Sequence, residues 1–209
     1  MSENRVRLLC VDDHRVVREG LSAILGSQPD MEVVAQAATG ELAVELFRHH
    51  RPDVTLMDLQ LPTMSGLDAI RAIRLESPDA RIIVLTMYHG EEDIFWALEA
   101  GAASYLLKDS ISDDLATMVR EVAAGRRPIP PNIAAVLATR ATQSVLSARE
   151  VQVVRLIGRG YRNKEIATEL HITEDTAKVH VRRLFEKLGV NDRTAAVRIA
   201  LRRGIIHLD

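Results

Sequence analysis

The sequence predicts an α/β fold, a doubly wound five-stranded parallel sheet, followed by a small all-α domain of four helices. Three observations carry this. Short apolar runs near residues 6–11, 32–36, 53–57, 81–86 and 103–107 alternate with stretches of helical periodicity, the pattern of buried parallel strands joined by crossover helices. Three prolines within residues 128–131 then interrupt both helix and sheet. From Ser147 onward every periodic segment is helical.

Taken in order, the first strand ends at an acidic pair, Asp12 and Asp13. The following helix places Val17, Leu21, Ile24 and Leu25 on one face, and the next places Leu42, Leu46 and Phe47. The third strand closes on Asp58. Leu67, Ile70 and Ile73 line the third helix. The fourth strand closes on Thr86, and Ile94, Ala97 and Leu98 line the fourth helix. The fifth strand closes on Lys108, and Leu115, Val119 and Val122 line the fifth helix. In such a sheet the carboxyl ends of the strands gather along one edge, where ligands bind. Asp12, Asp13, Asp58, Thr86 and Lys108 are therefore expected in one site. A carboxylate can attack a phosphoryl group. A hard divalent cation such as Mg²⁺ sits on carboxylates and phosphate oxygens, and a lysine and a hydroxyl can hold the phosphoryl oxygens.

The chain divides on this reading into a domain at 1–125, a linker with a short helix at 126–145, capped by Asn132, and a helical domain at 146–209. The 209 residues are 47% hydrophobic and 27% charged, ordinary for a globular protein. No apolar run approaches the roughly 20 residues of a membrane span. The N-terminus leads straight into a strand, so no signal peptide is expected. Cys10, the only cysteine, falls mid-strand, as a buried thiol would. A cytoplasmic protein is expected. The net charge of −2 conceals a split. Residues 1–125 carry 11 Lys and Arg against 21 Asp and Glu, a net of −10. Residues 126–209 carry 16 against 8, a net of +8, which suits a polyanionic partner for the second half and an inhibitory contact between the two. The seven histidines are scattered, and His49 with His50 reads as a solvated pair.

In the second half Ser147 and Glu150 form a capping box opening a helix to about Gly158. A short helix from Asn163 or Lys164 to Leu170 buries Ile166, Ala167 and Leu170. A turn at His171 and Ile172 leads to Thr173, which caps a helix from Glu174 to Leu188 that Gly189 ends. Ala177, Val181, Leu184 and Leu188 make its buried stripe, while Lys178, Val179, Arg182, Arg183 and, further on, Lys187 face away. Short helix, turn and longer basic helix make a helix-turn-helix, whose second helix enters the DNA major groove. A last helix, from Asn191 or Asp192 to about Arg203, sets Ala195, Ala196, Ile199 and Ala200 on one side, suited to a dimer contact or to packing in its own domain.

Both halves resemble known families. Val11-Asp12-Asp13-His14, Leu56-Met57-Asp58-Leu59, the segment Leu61 to Leu67, Leu85-Thr86 and Tyr105-Leu106-Leu107-Lys108 resemble the receiver domain of two-component response regulators, a flavodoxin-like fold. Leu146 to Val151, Asn163 to Ala167, Thr173 to Val181 and Lys187 to Thr194 resemble the LuxR-type DNA-binding domain. Together the chain resembles a NarL/FixJ-type response regulator, a switch and not an enzyme. The resemblance implies that Asp58 is the phosphoacceptor and that Asp13, Asp58 and the Gln60 backbone carbonyl hold Mg²⁺, with Asp12 assisting. It makes Thr86 and Tyr105 the switch pair, the ring moving inward. It places Lys178, Val179 and Arg182 toward the bases and Asn163, Lys164, Thr173, Thr176 and Arg183 toward phosphates. A sensor histidine kinase, promoter DNA, a homodimer on phosphorylation and RNA polymerase are the implied partners, with no membrane. Met87, where many receivers carry a small residue, is expected to narrow the approach to Asp58. Asp109 stands where proline is common, and Tyr88 with Gln60 lies where such domains tune the acyl phosphate. The alternatives are a phosphorylation-independent DNA-binding protein with the receiver as dimerisation scaffold, and a Mg²⁺-dependent phosphatase. Gln60, where such phosphatases carry a second Asp, counts against the latter.

Overall fold

The structure, a computed structural model, describes residues 5–87, 90–108, 111–141 and 144–207, and side chains throughout these except at 111–114. Tyr88, Asp109 and the peptide bond after Lys108 lie outside the described residues. The chain forms two compact units, residues 1–88 with 94–135 and residues 89–93 with 136–209.

The first unit contains β1 (Val6–Val11), β2 (Met31–Ala37), β3 (Val54–Asp58), β4 (Ile82–Thr86) and β5 (Ser104–Leu107). They pair in parallel in the order β2-β1-β3-β4-β5. Every residue of β3, β4 and β5 is buried, which is why these strands read as unbroken apolar runs and not as alternation. The order reverses between β1 and β3, so the crevice of a doubly wound sheet opens between the ends of those two strands. Asp12 follows one and Asp58 ends the other.

The helices are α1 (Arg15–Gly26), α2 (Gly40–His50), α3 (Gly66–Glu76), α4 (Glu91–Glu99) and α5 (Ile111–Ala123). Leu21 and Leu25 of α1 join Leu8, Cys10, Leu56, Leu85, Leu115 and Val119 in one core. In α2 the buried stripe is Ala43, Val44 and Phe47. Leu42, expected on it, is 38% exposed. Counting from the Thr39 cap, which accepts from the Leu42 N–H, the stripe runs one residue later than the leucine spacing suggests. The start of α3 presses on the site. A Cβ on Gly66 would lie 1.8 Å from the Asp58 carbonyl oxygen, so only glycine lets this helix begin directly beneath the β3 end. Ser65 caps the same turn by accepting from Asp68 N–H.

Beyond residue 125 the chain still holds to the sheet. The Pro128 carbonyl accepts from Ser104 Oγ of β5 at 2.6 Å, and Arg127 donates to the Ala102 carbonyl at 2.8 Å. α6 (Pro131–Ala141) follows. Asn132 does not cap it. Pro131 is its first residue, a place where a missing N–H costs nothing, and the Ala134 N–H donates to the Pro130 carbonyl.

The second unit contains α7 (Ala148–Gly158), α8 (Asn163–Glu169), α9 (Glu174–Leu188) and α10 (Arg193–Arg202). The Ser147/Glu150 capping box is formed at α7. Thr173 caps α9 through the Thr176 N–H, Gly189 ends it at φ +66°, and Asp192 caps α10. Ala177, Val181, Leu184 and Leu188 pack with Val153, Ile157, Ile166 and Ala167. Ala196 and Ala200 enter this same core, so of the two roles open to the small residues of α10, packing within the unit takes these two. Among the described residues no helix is long and apolar enough to cross a membrane.

Two glycine substitutions separate close approach from propensity. Gly66→Ala is expected to destabilise the first unit by about 1–3 kcal/mol through overpacking. Gly20→Ala, with nothing within 4 Å of its Cβ, should be neutral or stabilising by about 0.5–1 kcal/mol. Urea unfolding of the two variants checks both signs.

Candidate functional site

The strand ends deliver their side chains to one place. Asp12 is fully buried and Asp58 is 3% exposed. Lys108, at the end of β5, lies between them, its Nζ 2.6 Å from Asp58 Oδ2 in a hydrogen bond and 2.5 Å from Asp12 Oδ2. The latter is a charge contact without hydrogen-bond alignment. The other oxygens are held by backbone. Asp12 Oδ1 accepts from the His14 N–H at 2.9 Å, and Asp58 Oδ1 from the Gln60 N–H at 3.2 Å. Arg18 of α1 donates to the Asp12 carbonyl, fixing the turn between β1 and α1. Asp13 is exposed and pairs with His14 Nδ1 at 2.6 Å. Thr86 is fully buried at the end of β4, and its neighbour Met87 is 64% exposed. Met87, Asp13, His14, Val17, Asp58 and Lys108 line an open cleft of about 530 Å³. Tyr105 is fully buried, so the ring expected to turn inward is already inside.

The electrostatics follow from this crowding. Burial pushes the Asp58 carboxyl above its ordinary value, further than the hydrogen bond and charge of Lys108 pull it down, and the Asp12 charge adds to the rise. Burial by itself would lower Lys108, but the two carboxylates outweigh it and hold the ammonium above its ordinary value. One cation thus serves two carboxylates. Beneath, burial pushes the Cys10 thiol up to about 12, with the Asp12 charge contributing. It is a core group and not a nucleophile.

The donor set suits a hard cation. Oxygens of Asp12 and Asp13 and a ring nitrogen of His14 lie within 4.8 Å of one another, Asp58 adjoins them, and oxygen donors are what Mg²⁺ takes. His14 was not singled out from the sequence. The adjacency of His14 to the acidic pair was the available signal.

In the second unit the outer face of α9 exposes Lys178, Val179, Arg182 and Arg183. Thr173 and Thr176 are exposed and share a hydroxyl contact of 2.8 Å. Lys164 is exposed, and Asn163 is positioned by Arg193, which donates to its Oδ1 at 3.1 Å. Lys187 stands apart. Its ammonium is bound to Glu150 Oε2 at 2.7 Å and to the Val145 carbonyl at 3.2 Å, tying the end of α9 to the start of α7. Burial acts to raise Glu150, but Lys187 and the Ser147 groups overcome it and hold its carboxyl below its ordinary value.

An acidic site at a parallel-sheet switch point, joined in one chain to a basic helix-turn-helix, defines a signal-responsive transcription regulator. Comparison with known proteins places the chain within a family. Residues 8–120 match the response regulator receiver domain, and residues 144–200 match the bacterial regulatory proteins of the luxR family. The chain is 36% identical over 206 residues to the response regulator protein VraR of Staphylococcus aureus, covering 96% of this chain and 99% of VraR. It is similar to the crystal structure of response regulator ChrA from a haem-sensing two-component system, with 36% identity, 97% and 100% coverage and a TM-score of 0.59. Salmonella typhimurium RcsB shares the fold, at 24% identity, a TM-score of 0.70 and coverage of 93% of this chain and 98% of that one. The chain belongs to the response regulators of two-component systems that carry a LuxR-type DNA-binding domain and regulate transcription.

An acid with a raised folded-state pKa stabilises the fold only when protonated, so Asp58 stabilises the first unit below its ordinary 3.8 and loses that contribution as pH rises. Lys108→Met removes the shared cation and raises Asp58 further. In metal-free buffer it should cost about 3–5 kcal/mol at neutral pH and recover as pH falls, read by urea unfolding across pH. Separately, Arg183→Ala should lower the salt slope of DNA binding by about 1. Lys187→Ala should leave that slope in place and reduce thermal stability instead.

Proposed function

We propose that Asp58 accepts a phosphoryl group from a sensor histidine kinase or a small phosphodonor, and that the modification controls DNA binding by the α9 helix. The convergence of Asp12, Asp58 and Lys108 within 2.6 Å at the carboxyl edge of the sheet carries this reading. An Asp58 oxygen attacks the donor phosphorus, and the bond from phosphorus to the leaving group breaks, to imidazole nitrogen for a phosphohistidine or to carboxylate oxygen for an acyl phosphate. Lys108 is placed to leave its carboxylate partners and pair with a phosphoryl oxygen, and the Thr86 hydroxyl to donate to another. Asp13, Asp58 and the Gln60 carbonyl, assisted by Asp12, would hold Mg²⁺, which when bound supplies neutralisation of charge between carboxylate and phosphoryl group. Met87 at the mouth of the cleft limits the size of donor that reaches Asp58.

The new charge draws Lys108 and Thr86, the ends of β5 and β4, toward it. Tyr105 lies on β5 three residues before Lys108, which makes this edge the bistable element that phosphorylation biases. The output is a change in homodimerisation and in promoter occupancy. Lys178, Val179 and Arg182 face bases in the major groove, while Asn163, Lys164, Thr173, Thr176 and Arg183 meet phosphates. The protein acts in the cytoplasm, and RNA polymerase is the downstream partner.

Genome-wide DNA occupancy of wild type against Asp58→Ala tests the reading. Under conditions that stimulate the kinase, occupancy at the strongest sites should fall severalfold in the variant. Equal occupancy would mean a regulator that works without phosphorylation.

A further inference from the structure

The recognition helix carries an acid where its function calls for bases. Asp175 lies on the same outer stripe as Val179 and Arg182, at i, i+4 and i+7. Its side chain is 91% exposed and its Oδ1 lies 3.1 Å from Lys178 Nζ. Glu174 approaches the same ammonium at 3.3 Å, but Ala177 and Val181 beside it are core, so it sits nearer the edge of the buried face. Asp175 is thus the carboxylate at the centre of the outer face, in the first turn of the helix, the portion of a recognition helix that reaches base edges.

A carboxylate there repels phosphates, so it works against non-specific affinity. Its chemistry has one favourable target in the major groove, an exocyclic amine. A G·C pair presents guanine N7 and O6 as acceptors and the cytosine N4 amine as a donor, in a row. The Asp175–Lys178 pair presents an acceptor and an ammonium donor side by side in complementary order. Resting on the reading of α9 as the DNA-reading helix, we propose that Asp175 is a specificity determinant. It accepts from cytosine N4 while Lys178 donates to the guanine of the same base pair, so that the pair reads both bases of one G·C step and its orientation. Before binding, the acid holds Lys178 by its own ion pair and keeps it from settling on any phosphate.

The test is selection of randomised DNA duplexes by the full-length chain, followed by sequencing, for wild type, Asp175→Ala and Asp175→Asn. Wild type should enrich a motif with one G·C position per half-site favoured about tenfold or more, the scale of a good base contact. Asp175→Ala should lose the cytosine preference at that position and keep the rest of the motif. Asp175→Asn, whose amide carries a donor beside its acceptor, should lower cytosine and raise adenine there. Loss of the exposed acid from the first turn should shift thermal melting only slightly, and a purely helix-stabilising role would shift melting without changing the motif. Identical motifs from all three proteins would overturn the inference alone. A wild type that enriches no motif would overturn the DNA-reading assignment of α9, and the inference with it.

Discussion

Two carboxylates buried at the same sheet edge repel each other and lose their water, and both terms favour protonation or unfolding. Lys108 is what permits Asp12 and Asp58 to remain side by side. Its ammonium lies within 2.6 Å of both and is itself almost wholly enclosed. Much of the first unit serves to hold these three groups. The β1/β3 reversal brings Asp12 next to Asp58. Arg18 clamps the Asp12 carbonyl, and Gly66 lets α3 start against the Asp58 backbone.

This arrangement is held but not satisfied. One cation against two carboxylates leaves the site negative, and Asp58 is raised chiefly by its burial, with the Asp12 charge adding to it. A divalent cation or a rearranged lysine relieves it. Stability given up at a site in order to leave it responsive is expected where function needs a second state. Thr86 and Lys108 close neighbouring strands, so a charge that moves one shifts the other's surroundings.

The sequence made most of this legible because the strands and their chemistry are local. The five strands lie within a residue of the apolar runs. The caps at Thr173 and Asp192 follow from side chains that bond their own turn. What escaped reading depends on pairs distant in sequence. Nothing near Pro128 announces that Ser104, 24 residues earlier, will hold its carbonyl. Nothing in the last turn of α9 marks Lys187 as bound to Glu150, 37 residues before it. Leu42 misled because leucine spacing outweighed Ala43 and Val44, small side chains that a periodicity reading undervalues. Asp175 is inconspicuous in the sequence because an exposed acid at a helix start has an ordinary explanation in the helix dipole. Only its place beside Val179 and Arg182 sets it apart.

On the reading proposed above, Asp58, held by Lys108, is the group that takes the phosphoryl. Its most direct measurement is intact-protein mass spectrometry after exposure to a small phosphodonor with Mg²⁺, followed by borohydride trapping and peptide mapping. One phosphoryl group per chain is expected, trapped at Asp58 and lost in Asp58→Ala, with a much slower gain in Lys108→Met. Phosphorylation retained in Asp58→Ala, or mapped to Asp12 or Asp13 in wild type, would contradict it.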